Sequence, residues 1–327
     1  MENIINTIDS DLWKAVSTSP FNAIDYEYLL ATDPSKIREA EMELSLKSPF
    51  IEIPQHIDVA NIYLPSSDQY RKIRVRTYRP KAEKNLPVLL YFHGGAFIYG
   101  TPEQYDFLFF SLVQDVPLLV VSVDYRLAPE NPFPAGWKDG CEVLQWLFEN
   151  AGDLGGNSTN IMIGGSSAGA TIAASVTHWA RDQKNLKIRH QYLLYPSMSH
   201  MLDSPSMSEL KNAPLQTRKA AEWMWKHYLQ NHLADPPEYA VPLTENNFKD
   251  LPDATIIVCE LDPLKDEGIR YAEKLQEKGV AAHVLEIKGA VHAFDFFPCP
   301  LSDAFYRQQV ALFKQILHQN NEENYSH

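Results

Sequence analysis

Ten residues constrain the fold of this chain more than any others: Ile161-Met162-Ile163-Gly164-Gly165-Ser166-Ser167-Ala168-Gly169-Ala170. Three apolar residues run into small ones, and an apolar helical pattern follows. A buried strand must therefore turn sharply into a helix here. Within the stretch, Gly165-Ser166-Ser167-Ala168-Gly169 fits G-x-S-x-G, the spacing of a turn that lifts one serine above a sheet edge. Glycine is needed on both sides because a Cβ would clash in so tight a backbone. Ser167 is a candidate nucleophile. A plain glycine turn after a buried strand would leave the same local pattern, so the remaining chain has to decide.

The bulk properties exclude several function classes. The 327 residues suit one α/β core with an inserted or appended cap, and a hydrophobic share of 45% supplies a large core. A formal charge of −13 speaks against nucleic acid and against an anionic membrane surface, both of which call for clustered Lys and Arg. The one basic cluster, Arg71-Lys72-Ile73-Arg74-Val75-Arg76, alternates with apolar residues and is expected to be a solvated strand face. Cys141, Cys259 and Cys299 are widely spaced and odd in number, with no CxxC, so a reduced, cytoplasmic setting is expected. The start Met1-Glu2-Asn3-Ile4-Ile5-Asn6 has neither the basic nor the apolar region of a signal peptide, and no apolar run approaches membrane-spanning length.

Residues 1–54 read as amphipathic helices, with Phe21, Ile24, Tyr28 and Leu29, then Ile37, Met42 and Leu46, as the apolar stripe, punctuated by Pro34 and Pro49. This segment is expected to be the N-terminal part of a cap. From His56 the texture changes. Asp58–Leu64 and Lys72–Tyr78 alternate as antiparallel strands do, joined by a turn at Pro65–Asp68. Pro87–Phe92 and Leu118–Val123 are continuous apolar runs, as in strands of a parallel sheet buried on both faces. Helices are expected over 103–114, 137–150 and 168–181, and strands over 160–163 and 188–195. The rhythm breaks at 197–242, which reads as a cap insertion holding a helix over 217–229. The core, 55–196, resumes over 243–327 with strands 255–259 and 282–287 and helices 264–278 and 302–318. Alternating strands and helices make an α/β architecture with a right-handed, mainly parallel sheet.

A serine hydroxyl needs a base to take its proton, and the base needs a carboxylate to orient it. One known chain order is Ser, then Asp or Glu, then His, each on a loop after a core strand. Here the strand ending at Cys259 leads into Glu260-Leu261-Asp262-Pro263, and the strand ending at Ile287 leads to His292. Both would lie at C-terminal strand ends, where open α/β sheets place their sites. Asp262 is the candidate acid, with Glu260 and Asp266 as rivals; it could equally cap the following helix, with Pro263 in the first turn. Of the 11 histidines, His292 alone combines a post-strand loop with the required place in the order. His93-Gly94-Gly95 follows another strand, and the amides of Gly94 and Gly95, with that of Ala168, are candidate donors to an oxyanion.

These residues resemble the hormone-sensitive-lipase-like branch of the α/β-hydrolases. Four signatures match in order: His93-Gly94-Gly95-Ala96-Phe97 with Gly100; Asp124-Tyr125-Arg126-Leu127-Ala128-Pro129-Glu130 with Phe133-Pro134-Ala135; the Gly165–Gly169 elbow; and Asp262-Pro263-Leu264-Lys265-Asp266-Glu267-Gly268 followed by His292-Ala293-Phe294. The resemblance implies an α/β-hydrolase fold with a helical cap, hydrolysis of carboxylic esters, and no metal or organic cofactor. It implies Ser167, Asp262 and His292 as triad, Gly94, Gly95 and Ala168 as oxyanion donors, and Arg126 and Glu130 as ion-pair members in a structural segment. Two departures stand out. Ala96 replaces a usual third glycine, and Ser166 stands where relatives often carry Asp.

The cap is expected to set substrate size. Trp223 and Trp225 cannot share a helix face, so one is expected on the core and the other, Trp223, at the pocket, although both could fill the cap core. Phe97, Tyr195 and Phe294 are further pocket-wall candidates, by adjacency to the site loops. The expected activity is that of a serine carboxylesterase acting on short-acyl, small esters, falling as acid protonates His292. Amide hydrolysis on the same triad is the alternative; a non-catalytic small-molecule receptor is disfavoured by the presence of His292. A small ester is the expected partner, with no nucleic acid or membrane, and a homodimer is left open.

Overall fold

The computed structural model describes residues 2–47, 51–68 and 70–323; Pro49 lies outside them. Eight strands form one sheet: β1 (Ile57–Pro65), β2 (Lys72–Pro80), β3 (Leu86–Phe92), β4 (Leu119–Val123), β5 (Gly156–Ser166), β6 (Gln191–Leu194), β7 (Ala254–Cys259) and β8 (Ala282–Ile287). Their spatial order is β1-β2-β4-β3-β5-β6-β7-β8. β1, β2 and β4 are antiparallel to their neighbours along the β1–β2 and β2–β4 seams, and every pairing from β4 through β3 to β8 is parallel. The alternating strands are thus at the antiparallel end, and the continuous apolar runs are in the parallel centre, where helices cover both faces.

Two large apolar clusters fill the two sides of the sheet. Helices Ala135–Asn150, Ala168–Asp182 and Lys265–Glu277 supply one side; Asp106–Asp115 and Pro300–Glu323 supply the other. The basic face of β2 is not left to solvent. Arg74 Nε donates to Asp124 Oδ2 at 2.8 Å, Arg76 pairs with Asp106 at 2.7 Å, and Arg71 binds the buried Asp139. β2 lies inside the sheet, between β1 and β4, and the carboxylates come from elements packed over its arginines.

The N-terminal segment is helical but not one stripe. It divides into Glu2–Ile5, Ser10–Ser17, a 3₁₀ turn at Pro20–Ala23, Tyr26–Thr32 and Ser35–Lys47. The side chains of Asp9, Ser19 and Asp25 cap successive pieces and reset the helical phase at each start. The buried apolar residues are therefore Ile8, Leu12, Val16, Ile24, Leu30 and Ile37, whereas Phe21, Tyr28, Met42 and Leu46 are exposed. Helix Ser10–Ser17 packs on the C-terminal helix. Helix Tyr26–Thr32 packs on Arg218–Leu229, the helix of the 197–242 insertion, and His227 Nε2 lies 2.7 Å from the Leu30 carbonyl oxygen. Arg38 fastens the next helix to the core, donating to the Ile98 carbonyl at 2.9 Å and pairing with Glu130.

Candidate active site

The turn after β5 holds Ser167 at φ 53°, ψ −123°, outside the regions L-residues favour. Packing imposes this strain. A Cβ on Gly169 would lie 2.1 Å from the Phe92 carbonyl oxygen, and one on Gly165 would lie 2.5 Å from the Gly169 backbone. The elbow is thus wedged against the end of β3. The Ser167 amide donates to the Leu194 carbonyl at 2.9 Å, which ties the turn to the end of β6 as well.

The loops after β7 and β8 converge on it. The register pairs Cys259 with Ile287, and the loops stay joined beyond the strands. Glu260 N–H donates to Ile287 O at 3.1 Å, and Leu261 N–H donates to Ala290 O at 3.0 Å. His292 Nε2 is then 2.9 Å from Ser167 Oγ, and His292 Nδ1 is 2.6 Å from Asp262 Oδ2. Asp262 is fully buried, while His292 and Ser167 keep slight access. The other Asp262 oxygen, Oδ1, accepts the Leu264 amide at 2.9 Å. It therefore shapes the turn into helix Lys265–Glu277 while facing His292. The rivals are committed elsewhere: Glu260 accepts the Gly289 amide at 2.8 Å, and Asp266 accepts the Ser206 amide at 2.7 Å.

In the glycine loop after β3, one of the three candidate donors already has a partner. The Gly94 amide is engaged: it donates to Tyr105 Oη at 2.8 Å, and that oxygen is hydrogen-bonded to the buried Ser166 Oγ. Among the described residues the amides of Gly95, Ala96 and Ala168 meet no protein acceptor. Gly95 has φ +119°, and a Cβ there would lie 2.0 Å from the Tyr99 carbonyl oxygen, so only glycine allows this turn. His93 supports the loop from beneath, stacked on Tyr125 at 4.3 Å, while Tyr125 Oη donates to the His93 carbonyl at 2.8 Å. Burial holds the His93 imidazole below its ordinary pKa, consistent with a neutral structural ring. The neighbouring segment has its expected ion pairs: Arg126 with Asp139, and Glu130 with Arg38.

A cleft of about 1270 Å³ opens over Ser167 and His292. Of the four expected wall residues only Tyr195 borders it. Phe97 turns inward and stacks on Tyr228 at 3.8 Å; Phe294 packs on Phe305, centroids 5.0 Å apart. Trp223 lies beneath Lys226 Nζ at 4.5 Å and packs towards Ile98 and Tyr99, while Trp225 is buried in the core. Apolar wall residues are instead Phe21, Leu46, Tyr99, Leu215, Phe296 and Phe297, from the N-terminal helices, the loop after β3, the 197–242 segment and the loop after His292. Phe21, Leu46 and Leu215 are exposed and border this opening.

Two wall residues, Tyr105 and Glu41, had no sequence signal, nor did Asp295. Asp295 is not itself on the wall but lies behind it, accepting from Tyr195 Oη at 2.7 Å, and burial pushes its carboxyl up to about 6. Tyr195 in turn sets its ring edge-on to His292, centroids 4.8 Å apart. The Tyr105 hydroxyl is raised by burial and stays protonated.

A family model described as alpha/beta hydrolase fold matches residues 89–296. The chain is 36% identical to esterase LipI of Mycobacterium tuberculosis, over 74% of this chain and 77% of that one. It is 35% identical to carboxylesterase NlhH of the same organism, over 77% of this chain and 81% of that one. The solved structure of a bacterial heroin esterase superposes with a TM-score of 0.88 at 28% identity, covering 96% of this chain and 99% of the other. Sheet order, elbow and matched span agree, and the chain belongs to the hormone-sensitive-lipase-like branch of the alpha/beta-hydrolase fold family.

Proposed function

We propose that this chain is a carboxylic ester hydrolase that cleaves short-acyl esters through Ser167, His292 and Asp262. The observation that carries this reading is the hydrogen-bonded line from Ser167 Oγ through His292 to Asp262, at the floor of a cleft. Ser167 Oγ attacks the ester carbonyl carbon as its proton passes to His292 Nε2. The carbonyl π pair moves to oxygen, where the amides of Gly95, Ala96 and Ala168 receive it. The tetrahedral centre collapses, the alkoxide leaves with the proton from His292, and an acyl-enzyme remains. Water then repeats the sequence and releases the acid. Gly94 acts behind the hole: its bond to Tyr105 fixes the loop that presents the Gly95 and Ala96 amides. Residues 1–54 and 197–242 together act as the cap, supported by their shared packing and by wall residues from each. A short acyl group fills only part of about 1270 Å³, which leaves room for a larger second half of the ester. Three free, buried cysteines support a reducing, cytoplasmic setting.

The test compares a 4-nitrophenyl butyrate with the matching 4-nitroanilide and with a long-chain 4-nitrophenyl palmitate. The butyrate is expected to be turned over fastest. Faster anilide cleavage would replace the reading with an amidase, and a palmitate preference would overturn the short-acyl limit.

Tyr105→Phe removes the acceptor of the Gly94 amide and the partner of Ser166 Oγ, leaving two buried polar groups unpaired. Such a loss costs about 1–3 kcal/mol. We expect kcat to fall by roughly tenfold or more with KM little changed, because the loop serves the transition state rather than ground-state binding. A kcat equal to wild type, with the melting temperature lowered, would reduce Tyr105 to a purely structural residue.

A further inference from the structure

Among the described residues, Glu41 is the one buried acid on the cleft wall with no cationic partner. It projects from helix Ser35–Lys47, is 9% exposed, and borders the same cleft as Ser167 and His292. Its Oε1 accepts from Tyr26 Oη at 2.9 Å and its Oε2 accepts from Gln104 Nε2 at 3.0 Å. Both partners are neutral. Arg38, one turn earlier on the helix, is committed to Glu130 and to the Ile98 carbonyl. The other acids on the wall differ: Glu103 pairs with Arg74 and Asp106 with Arg76, while Asp11 is exposed to solvent. Lys14, on the same wall, is also exposed.

Two tyrosine rings complete the surroundings. Tyr26 and Tyr99, centroids 5.4 Å apart and tilted by 46°, border the cleft beside Glu41. A buried carboxylate with aromatic rings beside it in one cleft offers an ammonium both a charge partner and ring quadrupoles. Burying a lone carboxylate is costly, and a bound cation offsets that cost. Consistently, burial raises the Glu41 carboxyl above its ordinary pKa, opposed only by the hydrogen bonds from Gln104 and Tyr26. This geometry is independent of the hydrolytic residues, which need no charge at that place.

We propose that Glu41, with Tyr26 and Tyr99, forms a subsite for a substituted ammonium group, so that the enzyme selects esters carrying a cationic amine. The inference rests on the esterase reading above, and its experiment separates the two. The probes are isosteric pairs. Acetylcholine against 3,3-dimethylbutyl acetate places the cation on the alcohol; 4-nitrophenyl 4-(trimethylammonio)butanoate against 4-nitrophenyl 5,5-dimethylhexanoate places it on the acyl group. In at least one pair wild-type kcat/KM is expected to favour the cation by roughly tenfold. Glu41→Gln keeps the hydrogen-bonding shape and is expected to abolish that ratio while leaving the neutral ester within about twofold. Tetramethylammonium should inhibit neutral-ester hydrolysis competitively in the wild type, and this decides the matter if Glu41→Gln does not fold. No cationic preference in either pair, a preference unchanged in Glu41→Gln, or no inhibition by tetramethylammonium where the variant is unusable overturns the subsite. Hydrolysis of the neutral esters would leave the esterase reading standing in each of those cases; failure on all four esters would sink the esterase reading instead.

Discussion

Ser167→Ala is expected to lower kcat by a factor on the order of 10⁶ while substrate still binds, because in the proposed mechanism alanine removes the atom that forms the acyl-enzyme. The strained turn should survive, since its shape is imposed by Gly165 and Gly169 against β3 and by the Ser167 amide bond to Leu194, not by the hydroxyl. Melting temperature should therefore change little, or rise slightly as a buried hydroxyl is removed. Ser166→Ala is the informative contrast. Ser166 Oγ faces Tyr105 and not His292, so its loss should leave the acyl-enzyme step available and weaken only the support beneath Gly94. Steady-state hydrolysis of 4-nitrophenyl butyrate, together with mass-shift labelling by a phosphonate, measures both. Labelling that survives Ser167→Ala, or activity within tenfold of wild type, would remove Ser167 from the mechanism.

That contrast also marks what the sequence could convey. The parallel centre was readable from the continuous apolar runs of β3 and β4, and the proposed triad residues could be picked out because each follows a strand whose end is visible. Register did the rest: once β7 and β8 pair in phase, the loops bearing Asp262 and His292 have little choice of partner. Side-chain direction was not readable. Phe97 and Phe294 adjoin the site in sequence, yet each turns into the core, where burying a phenyl ring is worth more than edging a wet cleft. The engagement of the Gly94 amide was not readable for a related reason. Its amide is taken by Tyr105, eleven positions along the chain, and nothing local announces that bond. Glu41 is more distant still, brought to the cleft by a helix whose docking depends on Arg38 and Glu130 meeting across the fold.

Asp262→Asn should cost roughly 10⁴ in kcat, and the reason is a proton on the wrong nitrogen. In the wild type Asp262 has two acceptor oxygens and uses both, one for His292 Nδ1 at 2.6 Å and one for the Leu264 amide at 2.9 Å. Asparagine has one carbonyl oxygen. If that oxygen stays on Leu264, the NH₂ group faces His292 Nδ1, which must then accept. The ring proton moves to Nε2 and points at Ser167 Oγ, so the imidazole can no longer take the serine's proton. If the carbonyl instead turns to His292, the Leu264 amide is left buried and unpaired, at about 1–3 kcal/mol. The turn therefore favours the catalytically wrong orientation. Asp262→Ala loses both functions and should unfold at lower temperature as well as lose activity. Measuring kcat and melting temperature for the two variants separates tautomer control from turn support. Asn with near-wild-type stability and kcat reduced by several orders of magnitude assigns Asp262 to the imidazole. An Asn variant that keeps more than about a tenth of wild-type kcat would mean that another group, with Glu260 the nearest in sequence, holds the proton on Nδ1.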